Sequence, residues 1–369
     1  MFLLLTQAFP PRLGGVEALM AGLAGALAEQ AGPVTVFADG GNEPFGREDA
    51  DGAPYEVVRF GGLKPLRRRA KGWAAARLWR RTRVRAVICD SWKSLERIPR
   101  PPIPTLVFGH GMELPAEPSP SKAARIRGAF AKADVVCVNS RFTAALARPY
   151  VPAGAELRIT APPTPPQAEA DPAALARYQE LRAGGPLVVT LGRLEPRKGV
   201  DRLIEAVAAL RARHPGLRLL IAGSGGDRPR LEALALRCGL DPAAVFLGRI
   251  DDAEKSALLQ AADVFAMPVR REGDSVEGFG VVYLEAGWHG APSLAGRDGG
   301  SAEAVQDGVT GLLCDGADGA DVTAQLDRLL SDAPLRARLG EAARAHAQSR
   351  TWPAVLAAHL PPGVLEADG

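Results

Sequence analysis

The sequence predicts an α/β protein made of two doubly wound lobes, each a mostly parallel sheet covered by helices on both faces. Three observations carry that expectation. The chain has 369 residues, too many for one ordinary domain and suited to two of moderate size. Short apolar runs of strand length alternate with helical patterns, and strands buried on both faces read as continuous apolar runs. The rhythm then breaks at Ala161-Pro-Pro-Thr-Pro-Pro-Gln167, which can continue neither a helix nor a central strand. The expected divisions are a first lobe at 1–165, a linker at 166–185, a second lobe at 186–345, and a tail at 346–369 that could cross back to the first lobe.

In the first half, residues 2–5 form an apolar run, Phe-Leu-Leu-Leu, that reads as a buried strand. A helix is expected over 16–28, where Leu19, Leu23 and Leu27 share one face. Further strands are expected at 34–38, 57–60, 86–89, 105–108 and 135–138. In the second half strands are expected at 187–191, 217–222, 245–247, 264–267 and 291–294. Helices are expected at 200–212, 228–238, 253–262 and 281–289. The first of these carries Val200, Leu203, Ile204, Val207 and Leu210 at helical spacing. Two such lobes joined by a Pro-rich link would place a ligand cleft at the carboxyl ends of the strands.

Composition excludes several classes. Apolar residues make up 47% and charged residues 24%, normal for a globular chain with two cores. The net charge of +3 does not call for nucleic acid. Cys89, Cys137, Cys238 and Cys314 are widely spaced with no CxxC, so a zinc site is not expected and buried free thiols are. The apolar start is too short for a signal segment, and no run reaches the ~18 apolar residues of a membrane span. The expected location is cytoplasmic, with contact to the inner face of the membrane confined to the surface. The basis for such contact is a basic run from 64 to 85: Lys64, Arg67, Arg68, Arg69, Lys71, Arg77, Arg80, Arg81, Arg83 and Arg85, with Trp73 and Trp79 and no acid. It reads either as a solvated helix face or as a dock for anionic lipid.

Chemistry is concentrated in four places. Glu277-Gly-Phe-Gly-Val-Val-Tyr-Leu-Glu285 follows a strand and opens a helix. Gly278 and Gly280 let backbone pass close to a ligand, and the free N–H groups of the helix start suit a sugar diphosphate. Glu285, about one turn into the helix, can accept hydrogen bonds from vicinal hydroxyls. Leu191-Gly-Arg193-Leu-Glu-Pro-Arg-Lys198-Gly also links a strand to a helix. There Arg193 offers a fork for phosphate, and Lys198 a cation at a helix start, where only an anionic ligand would favour it. Gly14-Gly15 precedes the first helix, and His110 stands between glycines at a strand end; each is a weak signal alone. Asp49-Ala-Asp51 sits in a polar stretch, 46–52, and reads as a surface turn rather than a metal site.

Gly14-Gly15, His110, the Gly-Arg-Leu-x-x-x-Lys-Gly run at 192–199 and Glu277 to Glu285 occur in the order seen in family 4 retaining glycosyltransferases. Ala222-Gly-Ser-Gly225, Gly299-Gly-x-x-Glu303 and Asp307-Gly-x-x-Gly-Leu-Leu313 fit too. The chain thus resembles that family over nearly its whole length, and looks most like the phosphatidylinositol mannoside mannosyltransferases. The resemblance implies a GT-B fold, two Rossmann-like lobes facing a cleft. It implies that Arg193 and Lys198 hold the donor diphosphate and Glu285 the ribose. Glu277, with amides near Phe279 and Gly280, would hold hydroxyls of the transferred sugar. His110 would lie near the reacting centre, and Gly14 and Gly15 by the diphosphate and acceptor.

The expected reaction is transfer of a hexose, mannose or glucose type, from a nucleoside-diphosphate sugar to a hydroxyl of a glycan or lipid-linked acceptor, with retention. No side chain in these motifs is an obvious nucleophile, so front-face transfer is expected, with no cofactor and no metal. GDP-mannose is the first expectation for the donor and a UDP-sugar the second. A non-catalytic nucleotide-sugar-binding protein and a sugar-nucleotide epimerase of the same fold stay open. An NAD-dependent oxidoreductase is disfavoured: Gly223-Ser-Gly225-Gly226 follows a strand, but Arg228 stands where the fingerprint needs glycine.

Overall fold

A computed structural model describes residues 1–12, 14–40, 46–48, 52–360 and 363–365. The chain forms two compact units, Met1–Pro165 with Thr351–Gly369, and Pro166–Arg350. Asp49 and Asp51 lie outside the described residues.

The first unit runs β1 (Phe2–Leu5), α1 (Gly15–Gln30), β2 (Val34–Asp39), β3 (Gly46–Glu48), β4 (Glu56–Phe60), α2 (Lys64–Arg81), β5 (Ala86–Cys89), α3 (Trp92–Leu95), β6 (Thr105–Gly109), α4 (Pro120–Phe130), β7 (Val135–Val138), α5 (Arg141–Ala147) and β8 (Glu156–Ile159). Its sheet has the order β3-β4-β2-β1-β5-β6-β7-β8. All neighbours are parallel except β3, which pairs antiparallel with β4 at one edge. All four residues of β1, and all of β5 and β7, are buried, as a sheet covered on both faces requires. Each fully buried leucine of β1 contributes about 1.5–3 kcal/mol.

The second unit runs α6 (Pro172–Ala183), β9 (Leu187–Leu191), α7 (Val200–Leu210), β10 (Arg218–Ala222), α8 (Arg228–Arg237), β11 (Ala244–Gly248), α9 (Asp252–Ala261), β12 (Val264–Met267), α10 (Val282–Trp288), β13 (Ser293–Gly296), α11 (Ser301–Ala304), β14 (Gly311–Cys314), α12 (Gly319–Ser331) and α13 (Ala333–Ser349). Its all-parallel sheet has the order β11-β10-β9-β12-β13-β14. The direction of winding reverses between β9 and β12, which leaves a crevice at their carboxyl ends.

The structure corrects several expectations. The segment 166–185 is no plain linker, because it carries α6. Asp171 starts that helix by accepting from the Ala174 amide at 2.6 Å, and Tyr178 on it donates to Glu254 of α9 at 2.7 Å. The second unit extends past 345 because α13 continues to Ser349. The tail then forms α14 (Trp352–His359), whose Trp352 and Leu356 join the core of β1, β2 and α1 in the first unit. Arg85 donates to the Val364 carbonyl at 2.5 Å, and Arg158 to the Leu360 carbonyl. Residues 46–48, expected in a surface turn, form the edge strand β3. The strand expected at 291–294 lies at Ser293–Gly296.

The basic run is helix α2 as far as Arg81, but it is not one solvated face. Lys71 is buried and donates to Asp39 at 2.5 Å and to the Thr6 carbonyl at 2.7 Å. Arg67 pairs with the same carboxylate at 3.0 Å. Leu63, Leu66 and Trp73 are exposed. Cys89, Cys137 and Cys314 are buried free thiols and Cys238 is a half-buried one. Burial pushes the Cys137 and Cys314 thiols up to about 12, which leaves them poor nucleophiles.

Candidate active site

In the second unit two loops leave the carboxyl ends of β9 and β12, at the crevice where the winding reverses. The β9 loop makes a single 3₁₀ turn at Pro196–Lys198, and Gly199 separates that turn from α7. The turn places two successive cations on one carboxylate from the β12 loop. Arg197 donates to Glu277 Oε2 at 2.7 Å, and Lys198 donates to the same oxygen at 2.5 Å. Arg197 is only 5% exposed and also donates to Glu195 at 2.9 Å. The Gly300 amide fixes the Glu277 backbone by donating to its carbonyl at 2.9 Å.

Burial by itself would raise the Glu277 pKa, but Lys198 and Arg197 outweigh it and hold the carboxylate below its ordinary value. Lys198 is pushed the other way. Burial lowers its pKa first, Glu277 opposes, and the neighbouring Arg197 lowers it again. The two directions have one origin, since two cations share one carboxylate. With Arg193 counted, three cations face the two carboxylates Glu195 and Glu277, so the cluster carries one positive charge more than it compensates.

The Lys198 ammonium therefore does not rely on a ligand alone to offset its place near a helix start, as expected from sequence; Glu277 already faces it. Arg193 is 66% exposed and touches Glu195 at 3.1 Å, so its fork is accessible beside the cluster. A shallow hollow lined by Gly192, Arg193, Lys198, Ala222 and Met267 lies at the same strand ends. Gly223 follows Ala222 and packs against the backbone of Gly192. Its φ is +122°, and a Cβ there would lie 1.8 Å from the Gly192 carbonyl oxygen. Gly225 is likewise pressed onto the β9 loop, where a Cβ would lie 2.2 Å from the Leu194 carbonyl oxygen, whereas Gly226 has open space around it.

Beyond Glu277, Gly278, Phe279 and Gly280 are all buried, with the Phe279 ring inside the unit. Tyr283 donates to the Met267 carbonyl at 2.6 Å and ties α10 to the end of β12. Glu285 lies in the first turn of α10, where Lys255 of α9 donates to it at 2.9 Å. Burial lowers the Lys255 pKa, but Glu285 and Asp252 together raise it above the ordinary lysine value. One carboxylate oxygen of Glu285 is thus oriented, which leaves the other for paired hydroxyl donors.

In the first unit, the sheet winds in opposite directions on either side of β1 and β5. Asp90, at the end of β5, accepts from Thr6 Oγ1 at 2.9 Å, the Gln7 amide at 2.8 Å and Ser94 Oγ at 2.5 Å. His110, at the end of β6, bonds through Nε2 to the Asp90 carbonyl at 2.8 Å, and its amide donates to Glu113 at 2.6 Å. Its ring stacks on Phe108 at 6.1 Å between centroids. A carbonyl can only accept, so Nε2 carries a proton and donates it to Asp90. Gly14 is the residue before α1 and Gly15 its first residue.

Arg193, Lys198, Glu277 and Glu285 thus stand on loops and a helix of the second unit, and His110, Gly14 and Gly15 belong to the first. Three contributors escaped the sequence reading: Arg197, Lys255 and Asp90. Arginine and lysine are almost never fully buried unless paired, so only packing reveals the first two. The consecutive Arg-Lys before Gly199 was the one available signal for Arg197.

Residues 175–346 match the family of glycosyl transferases group 1, and residues 13–159 match glycosyltransferase family 4. The GDP-mannose-dependent alpha-(1-6)-phosphatidylinositol monomannoside mannosyltransferase of Mycolicibacterium smegmatis is 35% identical, over 93% of this chain and 92% of its own. A monoacylated-substrate counterpart from Corynebacterium glutamicum is 30% identical over 95% and 94%. Among solved structures, sucrose-phosphate synthase from Thermosynechococcus elongatus superposes with a TM-score of 0.74 at 22% identity, covering 96% of both chains, which is a likeness of fold.

Proposed function

The chain belongs to the group 1, family 4 glycosyltransferases, and from that premise we propose that it moves mannose from GDP-mannose to a hydroxyl of a lipid-linked acceptor, with retention and without a metal. The observation that carries this reading is the cluster of Arg197 and Lys198 on Glu277 at the crevice of the second unit. A nucleoside diphosphate is the anion that such a cluster lacks. Glu285, oriented by Lys255, would take the ribose hydroxyls. GDP-mannose leads because the mycobacterial and corynebacterial relatives are named for it; a UDP-sugar is the second choice.

In this mechanism the bond between the sugar's anomeric carbon and the diphosphate oxygen breaks as the acceptor oxygen bonds to the same face of that carbon. The acceptor proton passes to the departing phosphate oxygen. Arg193, Arg197 and Lys198 stabilise the charge that grows on the diphosphate, which removes the need for a divalent ion. Glu277 keeps the two buried cations in place and offers its remaining oxygen to sugar hydroxyls. His110, held by Asp90, would sit against the sugar.

An acceptor in a membrane would require the protein to work at a surface. The exposed Leu66 and Trp73 among the basic residues of 64–85, with Leu63 just before them, support peripheral docking on anionic lipid, at about 1 kcal/mol per basic residue near the surface. Among the described residues no helix is long and apolar enough to cross a membrane. The test is incubation with GDP-mannose, UDP-glucose and UDP-N-acetylglucosamine, each with phosphatidylinositol vesicles and with chelator. Mass spectrometry should find a hexose added to lipid from GDP-mannose, unaffected by chelator. Product from a UDP-sugar alone would reassign the donor, and loss of activity in chelator would reinstate a metal.

A further inference from the structure

The β9 loop carries Arg193 and Lys198, and it is clasped beside each of them. Next to Lys198, the Arg270 amide of the β12 loop donates to the Arg197 carbonyl at 2.9 Å. On the other side of Lys198, Gly199 has a φ of +70°, and a Cβ on it would run into the Pro268 carbonyl oxygen. Next to Arg193, the Leu194 amide donates to the Ser224 carbonyl at 3.0 Å, and the Asp227 amide donates to the Leu194 carbonyl at 3.2 Å. Segments 268–270 and 224–227 therefore hold the loop beside both cations.

One carboxylate joins those two segments. Asp201, in the first turn of α7, accepts the Arg270 guanidinium as a fork, at 2.7 Å on Oδ1 and 3.1 Å on Oδ2. Arg230 of α8 donates to Oδ2 at 3.2 Å, and it holds Asp227 through two further bonds at 2.6 and 2.8 Å. The Arg202 amide donates to Oδ1 at 3.0 Å. The side chains of Asp201 and Arg270 are 14% and 12% exposed, so salt screens their pair far less than a surface one. Arg230 is 48% exposed, which makes its arm the weaker. Burial would raise the Asp201 pKa, but Arg270, the Arg202 amide and Arg230 hold it below its ordinary value. An acid in the first turn of a helix is favourable in itself. That does not account for two arginines arriving from two different loops.

We propose that Asp201 is a positioning residue of the donor site: through Arg270 and Arg230 it draws the segments after β12 and β10 onto the β9 loop, and so sets where Arg193 and Lys198 meet the donor diphosphate. This role presupposes the nucleotide-sugar reading of the crevice. It differs in sign from a charge effect. Removing an acid near an anionic ligand strengthens binding by electrostatics alone. Releasing the clasp weakens it, because charged contacts that depend on exact placement are lost.

The test is calorimetric titration of GDP and UDP into the full chain as wild type, D201N and the charge-preserving R270K. Guanosine and uridine are titrated alongside, and thermal midpoints show that each protein is folded at the assay temperature. D201N should bind the diphosphate preferred by wild type about fivefold or more weakly, and R270K likewise, since lysine cannot supply the fork. The parent nucleoside has no phosphate for Arg193 and Lys198 to meet, so it should bind all three proteins alike. Diphosphate binding by D201N that equals or exceeds wild type overturns the proposal, as does unchanged binding by R270K. Nucleoside binding that falls as far as diphosphate binding also overturns it, because the loss then belongs to the whole unit. If D201N does not fold, R270K, which keeps the acid at the helix start, decides alone. Wild type that binds neither diphosphate overturns the nucleotide-sugar reading and this role with it. Wild type that binds one, with D201N binding it as tightly, overturns the positioning role only.

Discussion

Replacing Glu277 by glutamine and Lys198 by methionine should have opposite balances of stability and function. At 2.7 and 2.5 Å, each cation on Glu277 gains about 6 kcal/mol of Coulomb energy at an effective dielectric constant of about 20. Most of that offsets the cost of removing three charges from water. Glu277→Gln leaves two poorly solvated cations facing each other, with only Arg197 retaining a second partner in Glu195. Breaking such a buried pair from one side costs about 3–5 kcal/mol. Lys198→Met leaves Glu277 with Arg197, which Glu195 also engages, so no buried charge is stranded and the loss of stability should be smaller than for Glu277→Gln. Nucleotide binding should nonetheless fall, since a charge-assisted contact of about 1.5–3 kcal/mol is lost, roughly ten- to a hundredfold. Urea unfolding with unchanged slope gives the stabilities, and GDP titration the binding. If Lys198→Met destabilises more than Glu277→Gln, Glu277 is not the group that holds both buried cations in place.

Other consequences are nearer the edges of the site. Glu285→Ala should weaken GDP about tenfold, and Lys255→Met should do so by less while leaving Glu285 in place; equal, full-strength binding in both would remove α10 from the donor site. Burial, with Arg344 and Lys255, holds His289 at about 4, below its ordinary 6.5. The unfolded chain binds that proton first, so stability is complete above about pH 6.5 and falls by about 3 kcal/mol as pH drops to about 4. His289→Gln should flatten this limb in urea melts between those pH values, and an unchanged limb would assign it elsewhere. Asp90→Asn turns an acceptor of hydroxyl and amide bonds partly into a donor, at a cost of about 2–4 kcal/mol. If stability and turnover both survive, Asp90 does not set the β1 loop or His110.

The interior strands were legible because a doubly covered sheet demands unbroken apolar runs; Phe2–Leu5, Val135–Val138 and Val264–Met267 needed no other cue. Edge strands carry no such demand. Glu156–Ile159 exposes or half-exposes every residue, and Gly46–Glu48 looks like any polar turn. Helix α6 was hidden by its place directly after the proline run, although Asp171-Pro172 is an ordinary capped start. At the site, residue types and order were readable, but partners were not. Lys71 appeared among ten exposed-looking bases, and only the fold brings Asp39 and the Thr6 carbonyl beneath it. The same holds for Arg197, whose burial follows from the carboxylate that the β12 loop supplies.

The proposed reaction requires the cluster on Glu277 to hold a nucleoside diphosphate sugar. Calorimetric titration of GDP, UDP, ADP and NAD into wild type and Lys198→Met tests it most directly. Binding of GDP by wild type, weakened at least about tenfold in the variant while the fold persists, is the predicted result. Binding of no nucleoside diphosphate, or equal binding by both proteins, would contradict it.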